Sequence, residues 1–592
     1  MNTPWEMPTG AASQEEASFE RRFPRRLGLM ALAVGLLALA IVLRVVLLLL
    51  GPTRETLLEM AEQKRVTYQG AEPRGLILDA DGNVLAGIRL RHEVSVDQTR
   101  IPDKASFARD VAPRLGLTPE EVLQKFQRAS GAVWVLLAMD VPEEQANKLR
   151  AAFKDIPWFS LTDVPVRDYP EGSLASNVLG FVQAADQRGT LGVEQRYDAL
   201  LAPAERVRSF PVDPSLAETM DWQPHERSLV LTIHRALQAE VEWLLDRYVH
   251  EQNAAGGAVV VLDVHTGAVL VMAGSPRPNL SDYDETVDYA MQPHGGFNRA
   301  IDSPYEPGSV FKVLVMAAAL DAGVVDKTTV YNDVGIESAF NGPPVYNWDR
   351  KGHGQVTMQA CLQYSLNTCL AWVAKQFPSE NAFYSYLQAF GIGQYTGIDL
   401  AGENPGFLPR PGVAQWSHSD WVRQGFGQAV DVTPLQMAVA AAAIANGGYL
   451  MVPYVVQEIR VDGYVYHRDP EVVRQVISEK TARLMSQWLV PWDDGEAAQG
   501  RLPGYTIAGK TGTAEKVVKG VGYTPDLSNA SYVGWLPADD PQVVVYAWLE
   551  TPKGYWASRV VAPLFREVAE RVAVFLGIPP DQVRHTLVQR QP

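Results

Sequence analysis

Leu27 to Leu50 reads LGLMALAVGLLALAIVLRVVLLLL, an unbroken apolar run whose one charge is Arg44. At about 1.5 Å per residue a helix of that length crosses a hydrocarbon layer of about 30 Å. Whatever follows must therefore fold as a tethered domain. Arg44 lies near the far end, where a long side chain reaches the headgroups at less cost than it would at the centre. Arg21, Arg22, Arg25 and Arg26 stand just before the run, whereas the segment after it offers Arg54 and, further on, Lys64 and Arg65. Basic flanks stay on the cytoplasmic side. The sequence thus predicts a cytoplasmic tail over 1–26, a plasma-membrane span over 27–50, and an extracytoplasmic remainder. A cleaved signal peptide fits poorly, because its apolar part would run about 7 to 15 residues and end at a small-residue cleavage site.

A chain of 592 residues has room for three or four units of roughly 150 residues each. Its net charge of −16 argues against a polyanion-binding surface, since phosphate recognition draws on clustered Lys and Arg. Nucleic acid is not an expected partner. The ten histidines form no H-E-x-x-H pattern and there is no C-x-x-C, so neither a metal nor a cofactor is expected. Cys361 and Cys369 fall in an apolar, helix-like stretch. Two turns of continuous helix would hold their Cα atoms about 12 Å apart, too far to bridge, so both read as free core residues.

Beyond the span, Arg74 to Gly87 (RGLILDADGNVLAG) reads as strand, Asp81-Gly82 turn, strand. An α+β unit over 51–225 follows, closed by a polar linker around Pro211 to Arg227. From Ser228 the chain reads as a strand, a helix with Leu237, Val241, Leu244 and Leu245 on one face, and a hairpin at Thr266-Gly267. Val310 to Leu320 and Pro434 to Ala445 are apolar on nearly every side, as buried central helices are. A second domain is expected over 226–580, with a short tail at 581–592.

Among all serines, only Ser309 has a lysine three positions on, Lys312. Pro307 and Gly308 precede it as a turn that starts a helix, and Gly323 stops that helix. Spacing of i and i+3 sets the amine beside the hydroxyl, the arrangement of a nucleophile with an adjacent base. Such a lysine must be neutral part of the time, which burial and another cation bring about. S-x-N occurs as Ser365-Leu366-Asn367 and as Ser379-Glu380-Asn381. The second reads as a helix cap, whereas Ser365 and Asn367 interrupt two apolar helices and can project into a cleft. Lys510-Thr511-Gly512-Thr513 lies in a strand-like run. Gly509 and Gly512 weaken such a strand unless something approaches its backbone, and a peptide carboxylate there would meet Lys and Thr. Gly504 to Thr511 also fits G-x-x-x-x-G-K-T, but a phosphate loop needs a strand before it and a helix after it, and Pro503, Gly512 and Thr513 oppose both.

In this order S-x-x-K, S-x-N and K-T-G are the signature of penicilloyl serine transferases. The chain closely resembles the class B penicillin-binding proteins, the monofunctional peptidoglycan D,D-transpeptidases. RGLILDADGNVLA, LGVEQRYD, YEPGSVFK, GHGQVTMQACLQYSLNT, GFGQAVDVTPLQMA and KTGTAEK all carry the likeness. The resemblance implies an α+β architecture: an elongated pedestal (dimerisation-like) domain bearing a transpeptidase domain, an antiparallel sheet flanked by helices with an all-helical subdomain beside it. It further implies that Ser309 attacks a stem peptide and releases terminal D-alanine, with Lys312 as base. Ser365 and Lys510 would relay the proton, Asn367 would hold the donor amide, and Thr511, Gly512 and Thr513 would bind the carboxylate. The amides of Ser309 and Thr513 would form the oxyanion hole. β-Lactams would acylate the same serine. The implied protein partner is a polytopic glycosyltransferase of the SEDS type. Asn177, His234 and Ala557 to Phe565 depart from the family's usual residues, which bears on the pedestal and the last helix. A hydrolase would need a further carboxylate, with Glu403 as the nearest candidate, and a non-catalytic muropeptide-binding scaffold would need no turnover at all.

Overall fold

In a computed structural model the described residues are 14–50, 65–211, 227–292, 296–518, 522–554 and 556–589. Most of the expected linker, 212–226, lies outside them. Contacts divide the chain into two units, residues 1–72 with 205–223, and residues 73–204 with 224–592. The first unit holds helix α1 (Gln14–Leu50), which begins before the expected span. Gly28–Leu47 is long and apolar enough to cross a membrane, and its large apolar side chains stand exposed, as lipid-facing groups do. Arg65–Glu72 pairs with Ala204–Pro211 in the same unit.

The second unit opens with the expected hairpin, β1 (Leu76–Leu78) and β2 (Val84–Asp97). Asp79 stabilises its turn by accepting the amides of Asp81 and Asn83 at 2.9 and 2.7 Å. β3 (Trp134–Val141) and β4 (Phe159–Asp168) both pair with β2, and β5 (Arg227–Leu231) lies parallel to β1. Two motifs of the sequence meet here. Arg74 reaches Glu194 at 2.7 Å and Asp198 at 2.8 Å, and Arg167 reaches the second Glu194 oxygen at 2.7 Å. Buried charges persist only when paired in this way, and removing one partner is costly.

After α2 (Arg235–Glu251), strands β6 (Gly256–Asp263) and β7 (Val269–Ser275) form the Thr266-Gly267 hairpin. The helices that matter for the site are α3 (Lys312–Asp321), α4 (Met358–Gln363), α5 (Asn367–Ala374) and α6 (Pro434–Ala445). β8 (Val456–Val461) and β9 (Tyr464–His467) extend the first sheet to the order β9-β8-β5-β1-β2-β3. β10 (Ala508–Val518), β11 (Gly522–Leu536) and β12 (Val543–Glu550) complete an antiparallel central sheet, β7-β6-β12-β11-β10. β6 and β12 are almost continuously apolar because both of their faces are covered. α2 and the helix α7 (Ala562–Phe575) pack on one face. On the other lies α6, buried at every position, with α3 in the same core. Thr433 starts α6 through a reciprocal cap with Gln436.

The cysteines overturn the sequence expectation: Cys361 and Cys369 form a disulfide, with Cα atoms 6.0 Å apart. The helix assumed between them does not exist. α4 ends at Gln363, Ser365 takes φ +57°, and α5 restarts at Asn367. Reversal of the chain there brings the cysteines together and leaves Ser365 and Asn367 inside the closed loop. Cross-linking a loop this short restricts the unfolded chain by about 2.5 kcal/mol. Replacing both cysteines by alanine is expected to lower the thermal midpoint of the detergent-solubilised protein and slow its reaction with penicillins. An unchanged melt with unchanged acylation would refute that bracing role.

Past α7, the expected tail holds a helix, Asp581–Gln589, tied down by Arg584 to Asp539 at 2.6 Å. Asn177 is buried, and its carbonyl accepts the Asn298 amide at 3.1 Å. His234 precedes α2, its ring set edge-on to Phe575.

Candidate active site

Ser309 sits in a 3₁₀ turn, Gly308–Phe311, that feeds directly into α3. Gly308 has φ +59°, and its amide donates to the Gly427 carbonyl at 3.0 Å. A Cβ on Gly308 would lie 2.8 Å from the Thr513 carbonyl oxygen, so only glycine lets the serine turn lie against β10. Lys312, the first residue of α3, is fully buried. Its Nζ donates to the Ser365 carbonyl at 2.7 Å, to Ser365 Oγ at 3.2 Å and to Asn367 Oδ1 at 2.7 Å. Asn367 is oriented in turn by Nδ2 donating to the Tyr346 carbonyl at 3.1 Å. From β10, the buried Lys510 donates to its neighbour Thr511's carbonyl at 3.0 Å.

Ser309, Ser365, Asn367, Thr511 and Thr513 line one cavity of about 270 Å³. Lys312 and Lys510 lie behind its wall. Gly512 does not face it: a Cβ there would meet Ser531 Oγ at 2.5 Å and the Pro307 carbonyl at 2.8 Å, and one on Gly509 would meet the Tyr532 hydroxyl at 2.5 Å. The close approach that these glycines permit is thus internal, setting β10 against the serine turn and against β11.

Burial, reinforced by the charge on Lys510, holds the Lys312 ammonium well below the usual lysine range. Burial lowers Lys510 to about 8. Glu496, which lines the cavity, raises both. Two buried cations close enough to interact cannot both stay protonated cheaply, so Lys312 reaches the neutral form that a base needs while Lys510 keeps its charge below about pH 8.

Several cavity residues escape sequence reasoning. Glu515 could have been found, because it stands two positions past Thr513 on the same strand face. Glu496, Arg423 and the edge-on pair Trp348 and Trp556, 5.3 Å between centroids, carry no local signal. The Ala557 amide donates to Thr513 Oγ1 at 3.1 Å, so the start of the last helices bears on the site as well as on the fold. Glu403 does not: its carboxylate accepts the amide and hydroxyl of Thr396, at 2.6 and 2.5 Å, away from the serine cavity. Ser379 caps its helix, accepting the Ala382 amide at 3.2 Å. The phosphate-loop reading also fails, since Lys510 and Thr511 lie within β10 and no helix follows.

A hydroxyl at a helix start, a buried amine that can be neutral, and a second amine and hydroxyls on a strand edge together suit acyl transfer through a serine ester. The family described as penicillin binding protein transpeptidase domain matches residues 257–570, and that described as penicillin-binding protein dimerisation domain matches 70–219. Stage V sporulation protein D of Bacillus subtilis is 31% identical over 527 residues, covering 86% of this chain and 79% of its own. Peptidoglycan D,D-transpeptidase FtsI of Escherichia coli K12 is 28% identical over 563 residues, covering 92% and 91%. The crystal structure of penicillin-binding protein 3 from Mycobacterium tuberculosis, complexed with aztreonam, superposes with a TM-score of 0.66 at 26% identity, covering 87% of this chain and 98% of that one.

Proposed function

The chain belongs to the class B penicillin-binding proteins, and from that premise we propose how its own residues carry out peptidoglycan D,D-transpeptidation. The observation that carries the reading is the buried Lys312 amine, 2.7 Å from Asn367 Oδ1 and 3.2 Å from Ser365 Oγ, behind the cavity that Ser309 lines. Lys312 takes the Ser309 proton as Oγ attacks the penultimate D-alanine carbonyl. Ser365 and Lys510 return a proton to the departing D-alanine amine. Thr511 and Thr513 hold the terminal carboxylate, Gly512 keeps their strand close to the serine turn, and Asn367 holds the donor amide. The amides of Ser309 and Thr513 take the oxyanion, an effect worth about 2.7 to 4 kcal/mol per donor in measured cases. β-Lactams acylate Ser309 by the same route, and no metal or cofactor enters.

The protein is anchored in the plasma membrane by α1. The basic residues before the span support an N-terminus in the cytoplasm and a catalytic domain outside, a setting in which the Cys361–Cys369 disulfide persists. Residues 51–225 serve as the pedestal and 226–580 as the catalytic domain, with the tail at 581–592. A polytopic glycosyltransferase of the SEDS type supplies the glycan strands. Labelling the detergent-solubilised protein with a fluorescent penicillin tests the nucleophile. Label is expected on the Ser309 peptide and is expected to vanish in Ser309→Ala; label elsewhere, or none on folded wild type, would remove Ser309 from the role.

A further inference from the structure

Beside the serine cavity lies a second one of about 830 Å³, and Glu515 lines both. Asp302, Glu306 and Asp431 also line it, and among the described residues none of the three has an ion-pair partner. Its one lysine, Lys516, is committed to Glu550 at 3.0 Å. Glu306 binds the Ala429 amide at 2.8 Å and the hydroxyl of Tyr523 at 3.1 Å through one oxygen, and Tyr523 lines the serine cavity. The other oxygen, Oε2, is buried without a partner among the described residues. Asn529 is only 5% exposed and lines this cavity, and among the described residues its Oδ1 has no hydrogen-bond partner. Trp548 lines it too, its buried Nε1 likewise unpartnered among the described residues.

Unpaired acceptors buried among uncompensated carboxylates are costly until a cation donates to them. Burial accordingly raises all three carboxyls, Glu306 to about 7, against the opposing hydrogen bonds from Ala429 and Tyr523 and the charge of Arg423. Among the described residues no group of three acidic or histidine side chains is close enough to hold a metal ion. Spread carboxylates with a free carbonyl acceptor and a free indole donor suit instead an ammonium on a peptide, which brings N–H donors and a carbonyl together.

We infer that this cavity is the subsite for the acceptor stem peptide, and that it selects an acceptor whose primary ammonium has no carboxylate beside it. The inference rests on the transpeptidase reading above. Glu306 takes one proton from the ammonium. The neutral amine then attacks the Ser309 ester; its N–C bond forms as the C–Oγ bond breaks, and the second proton passes through Lys312 to Ser309 Oγ. A diaminopimelate side chain, with a carboxylate on the amine-bearing carbon, would be repelled.

The test compares two acceptors, an acylated lysinamide and the matching diaminopimelate peptide, against a thioester donor, with cross-linked product and hydrolysed donor counted by mass spectrometry. Wild type is expected to use the lysine-type acceptor about tenfold more efficiently, falling below about threefold in Asp431→Asn and in Glu306→Gln. The preference is a ratio within each variant, so partial loss of folded protein does not move it, and the side-chain carbonyl left by Glu306→Gln can still accept the Ala429 amide. Equal use of both acceptors by wild type, or an unchanged preference in both variants, would overturn the assignment. Hydrolysis with no cross-linked product from either acceptor would instead overturn the transpeptidase reading, and this one with it.

Discussion

Replacing Lys312 by alanine is expected to lower the second-order rate of Ser309 acylation by a penicillin about 10³-fold, within the range of a lost general base. The amine is fully buried and bonded to Ser365 and Asn367, so the substitution removes the proton acceptor and the group that orders the S-x-N loop together. A Lys312→Met variant keeps the bulk, and the same loss there assigns the effect to the amine rather than to a cavity. The pH profile gives an independent check. Lys510 returns a proton to the leaving nitrogen in the proposed mechanism and is held down to about 8, so acylation is expected to fall through pH 8 as Lys510 deprotonates. Lys510→Arg, which stays protonated, should move that fall to higher pH. The stability sign runs the other way. Between about 8 and its unfolded pKa, Lys510 binds more protons in the unfolded chain, so its contribution to stability rises with pH across that window. Rate profiles that coincide in wild type and Lys510→Arg would show that Lys510 does not set the basic limb.

Gly427→Ala is expected to reduce acylation about 100-fold, although residue 427 makes no contact with substrate in this reading. Gly427 has φ +84°, and a Cβ there would lie 2.1 Å from the Gly308 carbonyl oxygen. The contact is backbone to backbone, so no side chain can swing aside. The Gly308 amide also depends on the Gly427 carbonyl, and moving either displaces the turn that carries Ser309. Stopped-flow acylation reads the effect, and circular dichroism confirms that the variant is folded. A folded Gly427→Ala that acylates at the wild-type rate would show that the serine turn tolerates the shift.

Much of the architecture was written in local pattern. The apolar run of α1, the Asp81-Gly82 hairpin and the all-apolar α6 follow from composition and periodicity alone. Ser309 and Lys312 stood out because a helix start fixes their spacing. Cys361 and Cys369 misled the same reasoning, since the pattern was helical on either side of a left-handed residue, Ser365, that no periodicity reveals. Gly509 and Gly512 were singled out for a close approach to their backbone, and within the fold Tyr532 and Pro307 make such an approach.

The sequence by itself determined the span, the chemistry-bearing triplet and the strand and helix that carry its parts, because each rests on residues within a few positions of one another. Tertiary structure alone decided which distant residues share a cavity. Glu496, Trp348 and Trp556 join Ser309 there, Arg74 closes on Glu194, and Glu306, Asp431 and Asn529 meet around a second cavity. Those meetings are set by how sheet and helices pack their apolar faces, which depends on the whole core at once.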